Sequence, residues 1–342
     1  MTRSSRRPAA LARLALAVVM VLALIAGSAV AAAGAAPGKA EKVRIALDWV
    51  ANANYLGIYV ALEKGFFARE GVDAQILPYA NTPAETLIKA GKTDLGITYP
   101  PDVIINRAQG LRYKAVAALV SGNSTALAVL ASSAYMRPAQ LDGKLYGGFG
   151  IQSDRALVEA ILHADGVAKP RFRQIVLNTA VTEALAKKRI DYSAVFGGID
   201  DVTAALQGVK LRTFPYKRYL GAAGNYPNAV YTASDDTIAN RGPALRAALK
   251  ALAEGYTWAA QHPREAEGIL VKWNRTALAN AQPIVRATGD RTARMFLDSS
   301  GRWGTMRTVV FSGLGTILRK GGIVAAPPSV SEVFTNALLP RR

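Results

Sequence analysis

The sequence predicts an α/β protein built as two lobes. Short β-type runs alternate with amphipathic helical stretches from Lys42 onward, the alternation is interrupted once and resumes, and the second series repeats the grammar of the first. In the first series, residues 43–47 read as a strand, 56–70 as a helix stopped by Gly71, and 72–77 as a second strand. Thr82-Pro83-Ala84-Glu85 then predicts a helix start, with a Thr cap, Pro at the first helical position and Glu closing a capping box. That helix ends near Gly91, and 95–99 follows as a strand. In the second series, 144–149 is a strand, Ser153 caps a helix reaching about Ala164, and 173–177, 183–189 and 191–196 read as strand, helix and strand. Glu85-Thr86-Leu87-Ile88-Lys89 before Asp94 is echoed by Glu183-Ala184-Leu185-Ala186-Lys187 before Asp191. The echo fits two related lobes, and it also fits two αβ units of a single sheet. Residues 243–297 read as mostly helical, and Pro327-Pro328 ends regular structure before a short terminal helix. Crossings near 131–141 and 217–229 would give a discontinuous lobe I (42–130 plus 229–342) and a lobe II of 131–228.

Composition bounds the chemistry. The chain has 342 residues, 51% of them hydrophobic, which is enough for two ordinary cores. Arg3, Arg6, Arg7 and Arg13 form a basic head before an apolar run from Leu14 to Ala26 and a stretch of small residues. This is the pattern of a cleaved secretory signal over residues 1–36, with an uncleaved anchor as the alternative. It predicts export to a periplasm. The formal charge of +18 becomes about +14 once those four arginines are removed. The remaining basic residues are scattered singly, as Arg246, Lys250, Arg264 and Lys272 show, so a solvated surface is expected rather than a nucleic-acid site. Cysteine is absent, which excludes thiol catalysis, Cys-ligated zinc, iron–sulfur clusters and a lipid-bearing cysteine.

Catalytic constellations are equally scarce. The two histidines, His163 late in a helix and His262 before Pro263, read as structural. No G-x-S-x-G, P-loop or G-x-G-x-x-G motif is present, and no cluster has metal-ligand spacing, so neither metal nor cofactor is expected. The positive signal lies at strand ends, where open α/β sheets bind ligands. Trp49, Asn52, Asn54 and Tyr55 follow the first strand; Tyr99 and Pro100 follow a later one. Phe149 and Gly150 precede the Ser153-capped helix, and Asp200 follows Gly197-Gly198 after the strand ending at Phe196. Aromatics, glycines and an acid at four such ends suit a planar ligand with polar edges. The bland account of each is packing for Trp49 and turn formation for the asparagines.

The segment Leu47-Asp48-Trp49-x-x-Asn52-x-Asn54-x-x-Gly57-x-Tyr59-Val60-Ala61-x-Glu63-Lys64-Gly65-Phe66-Phe67-x-x-Glu70-Gly71 resembles the opening of ThiY-type proteins. Those are periplasmic binding proteins for thiamine-pyrimidine precursors within the alkanesulfonate/taurine/nitrate-binding superfamily. Lys144-x-x-Gly147-Gly148-Phe149-Gly150 resembles their second-lobe strand, and Asn225-Tyr226-Pro227 their return crossing. The resemblance implies a type II periplasmic binding fold, two Rossmann-like lobes joined by two hinge crossings. It also implies a monomer that delivers a small-molecule ligand to the membrane permease of an ABC importer. Carried over by position, Trp49 and Tyr99 would stack on the ligand ring, Asn52 would meet its edge, and Tyr226 would lie at the return crossing. Asp200 stands where relatives carry a glutamate facing the pyrimidine, and Tyr55 where many carry a histidine. A receptor for an alkanesulfonate or another small anion is the alternative, with Ser153 and Thr125 as donors; a periplasmic sensor subunit is another. A fungal enzyme of the same fold uses an active-site histidine, pyridoxal phosphate and a cysteine-rich motif. Without cysteine or that histidine, the expectation is that this chain is not an enzyme.

Overall fold

The computed structural model describes residues 40–148, 150–177 and 180–341. The expected signal segment and Phe149 lie outside the described residues. Ten strands occur among them: β1 (Glu41–Ala46), β2 (Val72–Leu77), β3 (Leu95–Thr98), β4 (Tyr113–Ala118), β5 (Thr125–Leu130), β6 (Leu145–Gly148), β7 (Arg173–Val176), β8 (Tyr192–Phe196), β9 (Leu211–Pro215) and β10 (Val230–Ser234). They form two five-stranded sheets, in the orders β2-β1-β3-β10-β4 and β7-β6-β8-β5-β9. In the first, β1 runs parallel to β2 and β3, while β10 lies antiparallel between β3 and β4. In the second, β6 runs parallel to β7 and β8, while β5 lies antiparallel between β8 and β9. The two sheets therefore have one plan. In each, the reversed strand is the one that has just arrived from the other sheet. The sequence echo around Lys89 and Lys187 thus marks two sheets rather than two units of one.

The first change of sheet falls between Ala118 and Thr125, earlier than the expected 131–141. The cause is β5. Its sequence TALAVL is buried at five successive positions, so it lacks the in-out alternation that marks a half-exposed strand. Its alanines also carry little β preference. The second change falls between Pro215 and Val230.

Several helices follow from local chemistry, and two depart from it. The expected helix over 56–70 is two, Leu56–Glu63 and Phe66–Arg69, because Gly65 takes the left-handed conformation (φ 69°) that ends the first. Helix Ala84–Lys89 starts after Pro83 with no side-chain cap. Thr82 donates instead to the Ala80 carbonyl, and Glu85 accepts a hydrogen bond from the Thr98 hydroxyl, so the predicted capping box is not formed. Helices Gly242–Gln261, Pro263–Trp273 and Gln282–Ala293 all carry Pro in the first turn, where the missing N–H costs nothing.

The core of the first sheet gathers Val43, Ile45, Ile97, Tyr231, Leu249 and Phe296. Within it, the Tyr256 ring stacks on Trp303 with centroids 5.0 Å apart and meets Phe296 edge-on at 4.8 Å. Helix Gly242–Gln261 lies against helix Leu56–Glu63 so closely that a Cβ at Gly57 would stand 2.2 Å from the Tyr256 ring. A second core includes residues from both sheets, Tyr113 and Leu127 among them, and reaches helix Thr308–Lys320 through Phe311 and Leu314. Among the described residues no helix is long and apolar enough to cross a membrane.

Candidate functional site

The carboxyl ends of the parallel strands carry the residues singled out above. Asp48, directly after β1, is the organising group of the first lobe's side. It accepts hydrogen bonds from the Tyr55 hydroxyl at 2.7 Å and from the Tyr99 hydroxyl at 2.9 Å. Burial pushes its carboxyl above the ordinary range, and the two phenols partly counter this by bonding the charged form. Tyr55 is therefore a core residue that steadies Asp48, and not a group open to a ligand. Tyr99 is fixed by its hydroxyl and presents its ring to Phe196 at the end of β8. The two rings, one from each lobe, lie 6.1 Å apart at 23°.

Trp49 is 47% exposed and leans on Tyr79, with centroids 5.4 Å apart. Asn52 differs from its predicted role. Its Oδ1 accepts from the Asn54 N–H and its Nδ2 donates to the Val50 carbonyl, both at 2.9 Å. The amide so caps the short turn Ala53–Tyr55 and is turned toward its own loop. Asn54 contributes its carbonyl to the Tyr256 hydroxyl at 3.0 Å. Pro100 is buried at the start of helix Pro100–Ala108. Gly150 has φ 78° and sits beside Val176.

On the second lobe's side, Asp200 Oδ2 accepts from the Phe196 N–H at 2.7 Å, and burial raises this carboxyl to about 6. That bond ties the Phe196 turn to the start of helix Asp200–Leu206, so Asp200 positions the aromatic ring. Its neighbour Asp201 accepts from Gly198 and pairs with Arg291 at 3.0 Å. Ser153 precedes helix Asp154–Ala164 but makes no capping bond of its own. Its hydroxyl and backbone N–H instead donate to the carboxylate of Asp102, in helix Pro100–Ala108.

Glu85, Asn123 and Phe196 were not singled out by the sequence as site members, and Asp102 was legible only as the end of the strand-end loop Tyr99-Pro100-Pro101-Asp102, with no role of its own. Asp102 is 9% exposed, and burial together with the nearby Glu85 and Asp154 charges raises it to about 8. Asn123 lies in the first crossing, where Gly122, Asn123 and Ser124 run beside the second. The Asn123 N–H donates to Asn225 Oδ1 at 3.2 Å, Ser124 N–H to Asn228 Oδ1 at 3.1 Å, and Asn228 N–H to the Gly122 carbonyl at 3.1 Å. Tyr226 is buried between these crossings, facing Asn123 and Thr125, and the charges of Asp154 and Asp102 add to the burial that holds its proton on. Thr125 spends its N–H on Asn123 Oδ1 at 2.7 Å. The Thr125 N–H and the Ser153 donors are thus already engaged within the protein, which leaves them unavailable to an anion. No group of acids and histidines suited to a metal ion occurs among the described residues.

Comparison with known proteins bears on family and fold. Residues 52–266 match the family model described as NMT1/THI5 like. A formylaminopyrimidine-binding protein of Halalkalibacterium halodurans is 28% identical over 235 residues, covering 68% of this chain and 70% of that one. A Haemophilus influenzae protein named for thiamine biosynthesis is 26% identical over 248 residues, covering 70% and 75%. The periplasmic aliphatic sulphonate binding protein SsuA of Escherichia coli superposes with a TM-score of 0.64 at 15% identity, covering 85% of this chain and 91% of that chain. The fold is the two-lobed periplasmic binding fold that the sequence resemblance implied. One expectation is corrected. Proteins named 4-amino-5-hydroxymethyl-2-methylpyrimidine phosphate synthase also match, from Uromyces fabae (28% over 154 residues, 44% of this chain and 45% of that one) and from Legionella pneumophila (23% over 152 residues, 44% and 48%). Relatives named as enzymes overturn the inference from missing cysteine and histidine, which bore only on one type of active site.

Proposed function

Because the chain belongs to the NMT1/THI5-like family, and because two aromatic rings from opposite lobes meet at its strand ends, we propose that it binds a small planar heteroaromatic between those lobes. The ligand is a thiamine-pyrimidine precursor or a close relative in shape, and the protein works as the exported, periplasmic receptor of an ABC importer. The single observation that carries this reading is the Tyr99–Phe196 pair. Both rings are held from behind, Tyr99 through Asp48 and the Phe196 turn through Asp200. Flat faces fixed in this way favour a flat ligand, since little freedom is lost on binding. The pyrimidine named for the Halalkalibacterium halodurans relative supports the same class. The engagement of the Thr125 N–H by Asn123 and of the Ser153 donors by Asp102 disfavours the sulfonate alternative.

Calorimetry with 4-amino-5-hydroxymethyl-2-methylpyrimidine and with methanesulfonate tests the reading. Binding of the pyrimidine is expected, weakened about fivefold in Phe196→Ala, since an aromatic pair is worth about 1 kcal/mol beyond its burial. Heat with the sulfonate and none with the pyrimidine would sink it.

A further inference from the structure

The lobes also meet through a pair of opposite charges. Helix Gln282–Ala293 belongs to lobe I, since Val285, Ala293 and, just beyond its end, Phe296 sit in the core of the first sheet. Helix Asp200–Leu206 follows β8 of the second sheet. Arg291, in the last turn of the first helix, donates a guanidinium N–H to Asp201 Oδ2 at 3.0 Å, in the first turn of the second. Each charge complements the end of the helix that carries it. By contrast, the pairs Arg44–Asp94, Arg107–Asp235 and Arg137–Asp165 each lie within one lobe.

Both partners are set in place by their own surroundings. Asp201 Oδ1 accepts from the Gly198 N–H at 2.6 Å and from the Val202 N–H at 2.9 Å, which leaves Oδ2 for Arg291. The end of the lobe I helix rests on the Gly198 turn. Gly198 holds φ 90°, and a Cβ there would stand 3.3 Å from Met295 Cε and 3.7 Å from Arg291 Cβ. The Met295 carbonyl accepts from the Ser121 N–H at 2.7 Å, in the first crossing. This helix end is therefore tied to the crossing and lies against lobe II, where any change in the spacing of the lobes is felt.

Magnitude decides what the pair can do. Its side chains are 60% and 36% exposed, and exposed pairs add little to folding. Asp201 keeps its turn and Arg291 its helix whether or not they meet, so the pair acts on the approach of the lobes. We propose that Arg291 and Asp201 form a latch that favours the closed arrangement of the two lobes. Its bias is about fivefold at most, which holds the lobes together without locking them. Such a latch acts with or without a ligand, whatever the ligand's chemistry.

The chain has no cysteine, so two introduced ones carry spin labels at chosen places. Lys89 and Lys187 are exposed and end the equivalent helices Ala84–Lys89 and Val181–Ala186, one in each lobe. Pulsed electron resonance on the Lys89→Cys, Lys187→Cys protein without ligand reads how far apart the lobes stand. Arg291→Gln and Asp201→Asn are each expected to lower the ratio of closed to open molecules by about two- to fivefold. The double variant is expected to lower it no further, because both changes remove one interaction. Salt at about 1 M is expected to act like either variant on the unaltered pair and to add nothing in the variants. Asp201→Asn keeps the acceptor for Gly198 and Val202, so its effect reports the lost charge rather than a broken turn. Should one variant not fold, the other carries the comparison together with the salt series. Distances indifferent to both variants, or losses that add in the double variant, overturn the latch.

Discussion

Burial and the neighbouring Glu85 and Asp154 charges raise the Asp102 carboxyl to about 8, whereas an unfolded aspartate titrates near ~3.9. Between these values the folded chain keeps a proton that the unfolded chain has released. Stability without ligand must then fall as pH rises from about 4 to about 8, and stay level with respect to this group below that window. Asp200, raised to about 6, and Glu267, raised to about 7, act in the same direction over narrower ranges. We predict that Asp102→Asn raises the melting temperature at pH 8.5 by a few degrees, corresponding to at least ~1 kcal/mol, and changes it little at pH 4. Melting curves across pH check this; parallel curves for the two proteins would contradict it. At this scale the sequence showed residue types but not their partners. Trp49 and Tyr99 were legible as aromatics at strand ends. That Tyr55 would turn inward to Asp48, or that Asn52 would spend its amide on its own turn, depends on contacts within the folded loop. Asp102 and Ser153 meet across 51 positions of chain, and no local pattern announces that.

The elements explain how the strand ends are held in place. Helix Leu56–Glu63 begins at the turn that Asn52 caps, and it is pressed against helix Gly242–Gln261 at Gly57 and Gly255. A Cβ on Gly255 would lie 2.2 Å from the Gly57 carbonyl. Gly57→Ala is therefore expected to force the helices apart and destabilise by about 2 kcal/mol, the usual cost of overpacking. Urea denaturation measures this, and an unchanged midpoint would show that the helices are less tightly set than described. Because that helix continues the Asp48–Tyr55 loop, the same variant is predicted to weaken ligand binding. Most helices and strands were readable from periodicity and from Pro and Gly placement. Strand β5 was not, since an alanine-rich segment buried on both faces shows no alternation. The capping box at Thr82 failed for a tertiary reason: Glu85 finds the Thr98 hydroxyl of the neighbouring strand.

At the scale of the molecule, two sheets of one plan exchange a strand each, and the paired crossings lie side by side through Asn123, Asn225 and Asn228. That arrangement brings Tyr99 and Phe196, from different sheets, face to face. Their present spacing of 6.1 Å is that of rings touching each other. A ligand ring stacked on both needs about 7 Å, twice the ~3.5 Å contact distance. Binding between the lobes must then part the pair by about an ångström, while the Asp48 and Asp200 bonds keep each ring facing inward. The α/β class and the two lobes were legible because alternation and its echo are local properties. The ring pair was not, since it joins residues from different sheets. A crystal structure of the protein with 4-amino-5-hydroxymethyl-2-methylpyrimidine tests the central claim most directly. The account predicts the ring between Tyr99 and Phe196, their separation widened to about 7 Å. A ligand bound elsewhere, with the two side chains still in mutual contact, would contradict it.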